Sequence, residues 1–145
     1  MAEKKTAVLL VGHGSSESHA NDSMLQVLEI IRKKKNYSII EAAFLELSPP
    51  FIPEVIQTCI NKGAEEILVV PYFLNRGRHI RRGIPQIIRE EAQKHPNIVL
   101  RFGNAINFHP LLAEIITDRI SETEKADDIR DTIVQTETNE KPCAG

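Results

Sequence analysis

Two kinds of apolar pattern alternate along the chain. Short unbroken runs of large apolar residues, typical of strands buried on both faces of a sheet, are separated by longer segments whose apolar positions recur at helical spacing. The predicted strands are Thr6–Val11, Ser38–Leu45, Glu66–Val70 and Ile98–Phe102. The predicted helices are Asn21–Lys35, a segment opened by Pro49 and Pro53 that ends near Asn61, Ile84–Lys94, and Pro110–Ile120.

This order of strand and helix predicts an α/β fold. Each strand is followed by a helix, which favours right-handed crossovers and a parallel sheet. We therefore expect a single-domain open parallel β-sheet of about four strands with helices on both faces. Asn21 or Asp22 is expected to cap the first helix, and Gly63 to end the second.

The apolar pattern ends after Ile120. Residues 1–120 are expected to form the α/β domain, and residues 121–145 a polar, flexible C-terminal tail with at most one short helix around Asp127–Val134.

Composition narrows the class of protein. With 145 residues, 41% hydrophobic and 26% charged, the chain has the make-up of an ordinary globular domain. Its net charge of −2 gives no electrostatic reason to expect nucleic acid or membrane partners. The N-terminal apolar run is too short for a signal peptide, and Cys59 and Cys143 form neither a metal-ligand spacing nor a disulfide framework. We expect a cytoplasmic protein with free thiols.

Candidate chemistry gathers in the loops that follow strands. In an open parallel sheet, ligands bind beyond the carboxyl ends of the strands. His13 follows the first predicted strand, Glu46 follows the second, and His79 lies in the loop after the third. Two imidazoles and a carboxylate at one edge are candidates to act together on a metal ion. A histidine that only satisfies a turn, and a solvated glutamate, are the alternatives.

The other histidines are weaker candidates. His19 and His109 lie near helix starts, where a capping or rim position is expected. His95 lies in a loop from helix to strand, at the opposite edge of the sheet, so we expect no role in a shared site.

The third strand-to-helix loop is basic although the protein is net acidic. Arg76, Arg78, Arg81 and Arg82 fall within seven residues. Guanidinium groups beside a metal ligand indicate a substrate that carries carboxylates or phosphates. A solvated helix start is the alternative, although cations there oppose the helix dipole. The Gly12-His13-Gly14 turn lacks the spacing of a nucleotide-binding loop.

Three motifs together resemble a known family. VGHGS followed by AN, then AFLELSPP, then VVPYFLNRGRH with a following IP dipeptide, resemble the small class II sirohydrochlorin chelatases of the CbiX/CfbA type over about residues 6–120. The resemblance implies a chelatase/flavodoxin-like fold. It also implies a lyase that inserts a divalent metal, cobalt first with nickel or iron as alternatives, into sirohydrochlorin during cobalamin-type tetrapyrrole biosynthesis.

The resemblance also implies roles for particular residues. His13 and His79 would bind the metal, with His13 also accepting a proton, and Glu46 would join them as a catalytic residue. The metal is a substrate, and no other cofactor is expected. Members of this length assemble as homodimers. The tetrapyrrole would meet Ser15, Glu46, Leu74, Asn75, Arg76, Gly77 and Arg78.

The chemistry agrees with these residue types. Metallation of a tetrapyrrole removes two pyrrole N–H protons, which an imidazole or a carboxylate can accept, and neutral imidazoles hold a borderline divalent metal reversibly. Two alternatives remain open. Ser16 and Gly83 replace an arginine and an acidic residue of the family pattern, so a non-catalytic tetrapyrrole- or metal-binding module is one. A histidine phosphatase is the other, disfavoured because Gly12 stands where such enzymes place an arginine.

Overall fold

The structure is a computed structural model that describes residues 3–17, 19–78 and 82–131. The chain divides into two compact units, Met1–Asn107 and Phe108–Gly145. No helix in the described part of the chain is both long enough and apolar enough to cross a membrane.

The elements follow the alternation that the sequence predicts. The strands are β1 (Thr6–Gly12), β2 (Ile39–Phe44), β3 (Glu66–Pro71) and β4 (Val99–Phe102). The helices are α1 (Asp22–Lys33), α2 (Ile52–Asn61), α3 (Ile84–Lys94) and α4 (Pro110–Thr123). Two helix boundaries differ from prediction by three residues: α4 continues beyond Ile120 to Thr123, and α2 begins at Ile52, after Pro49.

The four strands form one parallel sheet in the order β2-β1-β3-β4. β1 lies at the centre, where Val11 is in register with Ala43 of β2 and with Pro71 of β3. The loops that follow β1, β2 and β3 therefore leave the same edge of the sheet side by side. This confirms the predicted fold class.

The core is divided between the two faces of the sheet. On one face Leu9 and Ile67 pack with Ile56 of α2 and Ile84 of α3, all fully or almost fully buried. On the other face Leu10, Ile40 and Phe44 pack with Met24 and Leu28 of α1. The successive residues Leu9 and Leu10 point to opposite faces because side chains alternate along a strand. Helices thus cover both faces of the first unit, as predicted.

Helix boundaries agree with the local signals at α2. Phe51 precedes the helix in an extended conformation and Pro53 lies in its first turn, where the missing N–H of proline costs no hydrogen bond. After the helix, Gly63 adopts a φ of +95°, a conformation that glycine tolerates best.

In the second unit, α4 begins at Pro110. His109 is its N-cap residue, and the His109 Nδ1 atom accepts a hydrogen bond from the backbone N–H of Leu111 at 3.1 Å. Residues 127–131 form turns and irregular backbone instead of the start of a short helix. The Asp128 carboxylate accepts a hydrogen bond from the backbone N–H of Arg130 at 2.8 Å, a local bond that competes with helix formation. The boundary between domain and tail near residue 120 stays a prediction, and residues 132–145 lie outside the described part.

Candidate functional site

Pairing between β1 and β2 continues past the ends of both strands and brings two predicted site residues together. The N–H of Leu45 donates to the carbonyl oxygen of Gly12 at 2.9 Å, and the N–H of Glu46 donates to that of His13 at 3.1 Å. The backbone of Glu46 is therefore fixed beside that of His13. Because β2 neighbours β1, the structure places these two residues as the sequence led us to expect.

The two glycines beside His13 have different surroundings. At Gly14, φ is +93° and an added Cβ would lie 1.9 Å from the carbonyl oxygen of Glu46. At Gly12 an added Cβ would lie 2.7 Å from the sulfur of Met24. The first contact is with backbone and the second is with the flexible end of a side chain. Close approach of the loop that carries Glu46 therefore explains Gly14, whereas Gly12 packs against Met24 of α1.

Both ring nitrogens of His13 face oxygen atoms. Nδ1 lies 3.1 Å from the carbonyl oxygen of Gly14, and Nε2 lies 3.1 Å from Oε1 of Glu46. A carbonyl oxygen can only accept, so the hydrogen bond to Gly14 places a hydrogen on Nδ1. In the neutral ring, Nε2 then carries a lone pair that faces a carboxylate. A positive charge between Nε2 and Oε1, either a proton or a metal ion, satisfies both atoms.

The side chains of this pair are accessible. The His13 side chain is 41% exposed and that of Glu46 is 51% exposed. A ligand from solution can therefore reach the gap between Nε2 and Oε1. The bond from Nδ1 to Gly14 orients the ring, as backbone carbonyls do for metal-binding histidines.

The loop after β2 is held by a tight turn and a side-chain bond. Leu47 has a φ of +69°, and the N–H of Ser48 donates to the carbonyl oxygen of Glu46 at 2.8 Å. Asn21 donates from its side-chain amide to the Ser48 hydroxyl at 3.2 Å. Asn21 precedes α1 as expected, but its side chain makes no capping bond and instead anchors this loop. No local signal in the sequence indicates that bond.

A groove of about 590 Å³ lies beside the two loops. Ser15, Ser16 and Glu17 from the loop after β1 line it together with Ser48 and with apolar residues of α1 and β2. The Ser15 hydroxyl accepts a hydrogen bond from the N–H of Glu17 at 3.1 Å. Ser15 thus lines the groove two residues after His13.

The loop after β3 leaves the sheet next to His13. The N–H of Tyr72 donates to the carbonyl oxygen of Val11 at 2.7 Å. Beyond Tyr72, the side chains of Leu74, Asn75, Arg76 and Arg78 are exposed, as is Gly77. These five residues of the predicted substrate site therefore lie at the same edge as His13 and Glu46 and are open to solvent.

The second predicted metal ligand is not described. His79 and Arg81 lie outside the described residues, while Arg82 is exposed just before α3. Within residues 3–17, 19–78 and 82–131, no three histidine, cysteine, aspartate or glutamate side chains are grouped so that they could hold a metal ion. The participation of His79 stays a prediction.

The remaining histidines are found where the sequence placed them. His19 lies 2.9 Å from Asp22 at the start of α1 and is 89% exposed. His95 follows α3 at the opposite edge of the sheet, 3.8 Å from the buried Glu91. His109 caps α4. In the structure as described, each of the three has a local partner.

Comparison with known proteins identifies the family. The CbiX family model matches residues 7–123. The chain belongs to the CbiX family. The resemblance drawn from the GHGS and FLNRGRH motifs is therefore confirmed.

Named CbiX relatives and solved structures agree with this membership. A sirohydrochlorin cobaltochelatase from Priestia megaterium is 32% identical over 117 residues, which are 81% of this chain and 38% of the relative. The cobalt complex of the sirohydrochlorin chelatase SirB from Bacillus subtilis subspecies spizizenii aligns with a TM-score of 0.77 and 30% identity, over 81% of this chain and 50% of SirB. A putative cobalamin biosynthesis CbiX protein from Marinobacter aquaeolei aligns with a TM-score of 0.69 and 26% identity, over 82% of this chain and 97% of that one.

CbiX relatives occur in two lengths. This chain spans between 38% and 50% of several curated relatives that it matches, but nearly the whole of the Marinobacter protein. The matched segment is thus a complete structural unit in one relative and about half of the chain in others.

Proposed function

We propose that this CbiX protein is a lyase that inserts a divalent metal ion into sirohydrochlorin, with cobalt as the first candidate. The observation that carries the proposal is the 3.1 Å approach of His13 Nε2 to Glu46 Oε1. The names of its relatives support the substrate: several are sirohydrochlorin cobaltochelatases, and others are sirohydrochlorin ferrochelatases.

The His13–Glu46 pair suits the exchange that metallation requires. One divalent cation enters the macrocycle and two pyrrole protons leave, so the total charge is conserved. A nitrogen lone pair facing a carboxylate can hold the cation before transfer. Once the cation has left, the pair can accept one of the two pyrrole protons, and the other passes to solvent water, which reaches both side chains. His13 is proposed as ligand and proton acceptor, Glu46 as its catalytic partner, and His79 as the second ligand.

The exposed residues of the loop after β3 are proposed to bind the tetrapyrrole. Sirohydrochlorin is a polycarboxylate, and Arg76 and Arg78 offer it planar hydrogen-bond donors. Leu74, whose side chain is 57% exposed, can pack against the flat macrocycle. Asn75 and Gly77 complete this surface, and Ser15 contributes a hydroxyl from the loop after β1.

The metal is proposed from the ligand types and from the names of the relatives. Imidazole and carboxylate ligands admit cobalt, nickel and ferrous iron. Cobalt is preferred because several relatives are named cobaltochelatases. No cofactor beyond the metal substrate is proposed.

A homodimer is proposed as the working form. In the second unit α4 has no buried residue, and its apolar side chains Leu111, Ile115, Ile116 and Ile120 are between 48% and 58% exposed. Such a surface is costly in water and suits association with a second copy. Sedimentation tests the proposed homodimer. The wild type should sediment as a dimer and Ile116→Glu as a monomer, whereas a monomeric wild type would contradict the proposal.

A cytoplasmic location is proposed from the thiol chemistry. Cys59 is a free, buried cysteine, as a reducing compartment favours.

The decisive experiment is a metallation assay. Purified protein is mixed with sirohydrochlorin and Co²⁺, Ni²⁺ or Fe²⁺ separately, and the absorbance change is compared with the spontaneous rate. The wild type should accelerate insertion of at least one metal, whereas His13→Ala and His79→Ala should abolish the acceleration with little change in melting temperature. Binding of sirohydrochlorin without acceleration would contradict the enzyme and favour the binding module, which Gly83 suggests because it offers His79 no acidic neighbour.

A further inference from the structure

The loop that joins β4 to α4 holds the loop that carries the arginines. The N–H of Ile106 donates to the carbonyl oxygen of Phe73, and the N–H of Asn107 donates to that of Leu74, both at 2.9 Å. A third connection joins side chains, because an Nη atom of Arg76 donates to the side-chain oxygen of Asn104. The exposed Arg76 guanidinium is therefore tied to a residue outside its own loop.

Asn104 is well placed to fix another side chain. On one side of it, the N–H of Gly103 donates to the carbonyl oxygen of Val69 at 2.8 Å. On the other side, Ala105 is only 6% exposed. The backbone of Asn104 is thus anchored to the sheet on one side and to the interior on the other, whereas Arg76 lies in an exposed segment. A fixed acceptor reduces the number of rotamers that an arginine must lose when it binds a ligand.

The chemistry of the acceptor matters as much as its position. An amide oxygen engages one of the five N–H donors of arginine and leaves its positive charge uncompensated. An aspartate would hold the guanidinium as well but would offset the charge that attracts a polyanion. The same reasoning explains why a neutral residue suits a loop that must bind carboxylates.

We propose that Asn104 is a positioning residue that orients the Arg76 guanidinium toward the carboxylates of the tetrapyrrole. This inference rests on the proposed function. Asn104 acts through Arg76 and does not itself take part in metal insertion. It extends the substrate-recognition surface to the loop after β4.

The test is a double-mutant cycle on KM and kcat for sirohydrochlorin. Asn104→Ala should raise KM about 3- to 10-fold with kcat within about twofold of wild type, because the lost interaction binds the substrate and the transition state equally. Arg76→Ala should raise KM at least as much. In the Arg76→Ala background, Asn104→Ala should have no further effect, since its partner is already absent.

A purely structural role predicts a different result. If Asn104 only maintains the loop, its replacement will lower kcat and the melting temperature, and its effect will multiply that of Arg76→Ala, which overturns the proposal. Asn104→Asp supplies a second measurement should Asn104→Ala fold poorly. It should keep the fold, raise KM, and weaken the dependence of KM on salt, because a carboxylate offsets one positive charge; an unchanged KM and salt dependence overturn the proposal.

Two control variants separate local from general effects. Asn61→Ala removes an exposed amide whose oxygen accepts from Gln57 at 2.9 Å, at the opposite edge of the sheet. Arg101→Ala removes an arginine paired with Glu66 at 3.2 Å. Neither should change KM. If the wild type itself neither binds nor metallates sirohydrochlorin, the proposed function fails together with this inference; if it metallates and Asn104→Ala matches it, this inference alone fails.

Discussion

His13 Nε2 lies 3.1 Å from Glu46 Oε1, while Nδ1 of the same ring is 3.1 Å from the carbonyl oxygen of Gly14. The imidazole is thus held at one nitrogen by its own turn, and at the other nitrogen it faces a carboxylate from the neighbouring loop. When the ring is neutral, its one N–H is used by Nδ1, so Nε2 has no hydrogen to donate to Glu46. The pair is therefore suited to share a cation, and proton and metal ion compete for the same position.

Replacing Glu46 with glutamine tests this competition. The amide retains the size of the side chain but cannot accept a proton or balance a metal charge, so kcat for metallation should fall about 10- to 100-fold. The melting temperature should stay within a few degrees, because the side chain is exposed. Glu54→Gln, an exposed carboxylate in the first turn of α2, is the matched control and should leave kcat unchanged. Equal kcat for Glu46→Gln and wild type would remove Glu46 from the mechanism.

Replacing each of the two glycines beside His13 with alanine should lower the free energy of unfolding by different amounts. Gly14→Ala should lower the free energy of unfolding by at least about 3 kcal/mol, because a left-handed φ is combined with a clash against backbone. Gly12→Ala should lower it by only about 1–2 kcal/mol, since the end of Met24 can move. Urea unfolding measures both.

Gly77→Ala is the control for this series. An added Cβ at Gly77 meets no atom within 4 Å, so stability should change by no more than about 0.5 kcal/mol. If Gly14→Ala were as stable as Gly77→Ala, the result would contradict the close contact between the His13 turn and the backbone of Glu46.

Stability should fall in alkali because of Cys59. Burial is the main reason that the pKa of this thiol is raised from 9.0 to about 11. The negative charge of Glu41 also raises the pKa, and the positive charge of Lys62 lowers it. Between pH 9 and 11 the folded state therefore binds more protons than the unfolded state, and the free energy of unfolding decreases with rising pH, by about 2 kcal/mol. Urea unfolding at pH 8, 9, 10 and 11 measures this decrease.

Cys59→Ala isolates the thiol from the lysines and tyrosines that titrate in the same range. The variant should be less stable at pH 8 because a core side chain is truncated, but its stability should decline less between pH 9 and 11. If the free energy of unfolding fell equally with pH in wild type and Cys59→Ala, the thiol would not titrate as described.

An acidic residue at Gly83 should stabilise α3. Gly83 precedes the helix with φ −70° and ψ −57°, a conformation open to any residue, and an added Cβ would meet no atom within 4 Å. Gly83→Asp should raise the free energy of unfolding by about 0.5–1 kcal/mol, through a less flexible unfolded chain and a favourable charge at the helix start. Gly83→Ala should show only the stabilisation that comes from a less flexible unfolded chain. In 1 M salt the difference in stability between Gly83→Asp and Gly83→Ala should become smaller, because salt screens the charge. A loss of stability in Gly83→Asp would contradict the prediction.

The order of strands and helices could be read from the sequence because apolar periodicity reflects burial directly. Thr6–Val11 is apolar on both sides because helices cover both faces of the sheet, and the observed strand differs from it by one residue. Local signals likewise placed the end of α2 before Gly63 and put His109 at the start of α4. These features depend on residues that are neighbours in the chain.

The candidate site was predictable in outline only. Parallel topology is enough to place His13, Glu46 and the arginine loop at one edge, since all of them follow strands. It does not indicate the Asn21–Ser48 bond or the Arg76–Asn104 bond. The polar pattern of the sequence contains no trace of these pairs, because each joins residues more than 25 positions apart.

The sequence by itself thus determined the α/β architecture, the family and the residue types at the working edge. Only the tertiary structure decided that His13 Nε2 faces Glu46, that Gly14 has no room for a side chain, and that Asn104 holds Arg76. The physical reason is that periodicity and local signals report burial and nearby backbone preferences. Distances between loops depend on strand order and register, which are set by the packing of the whole sheet.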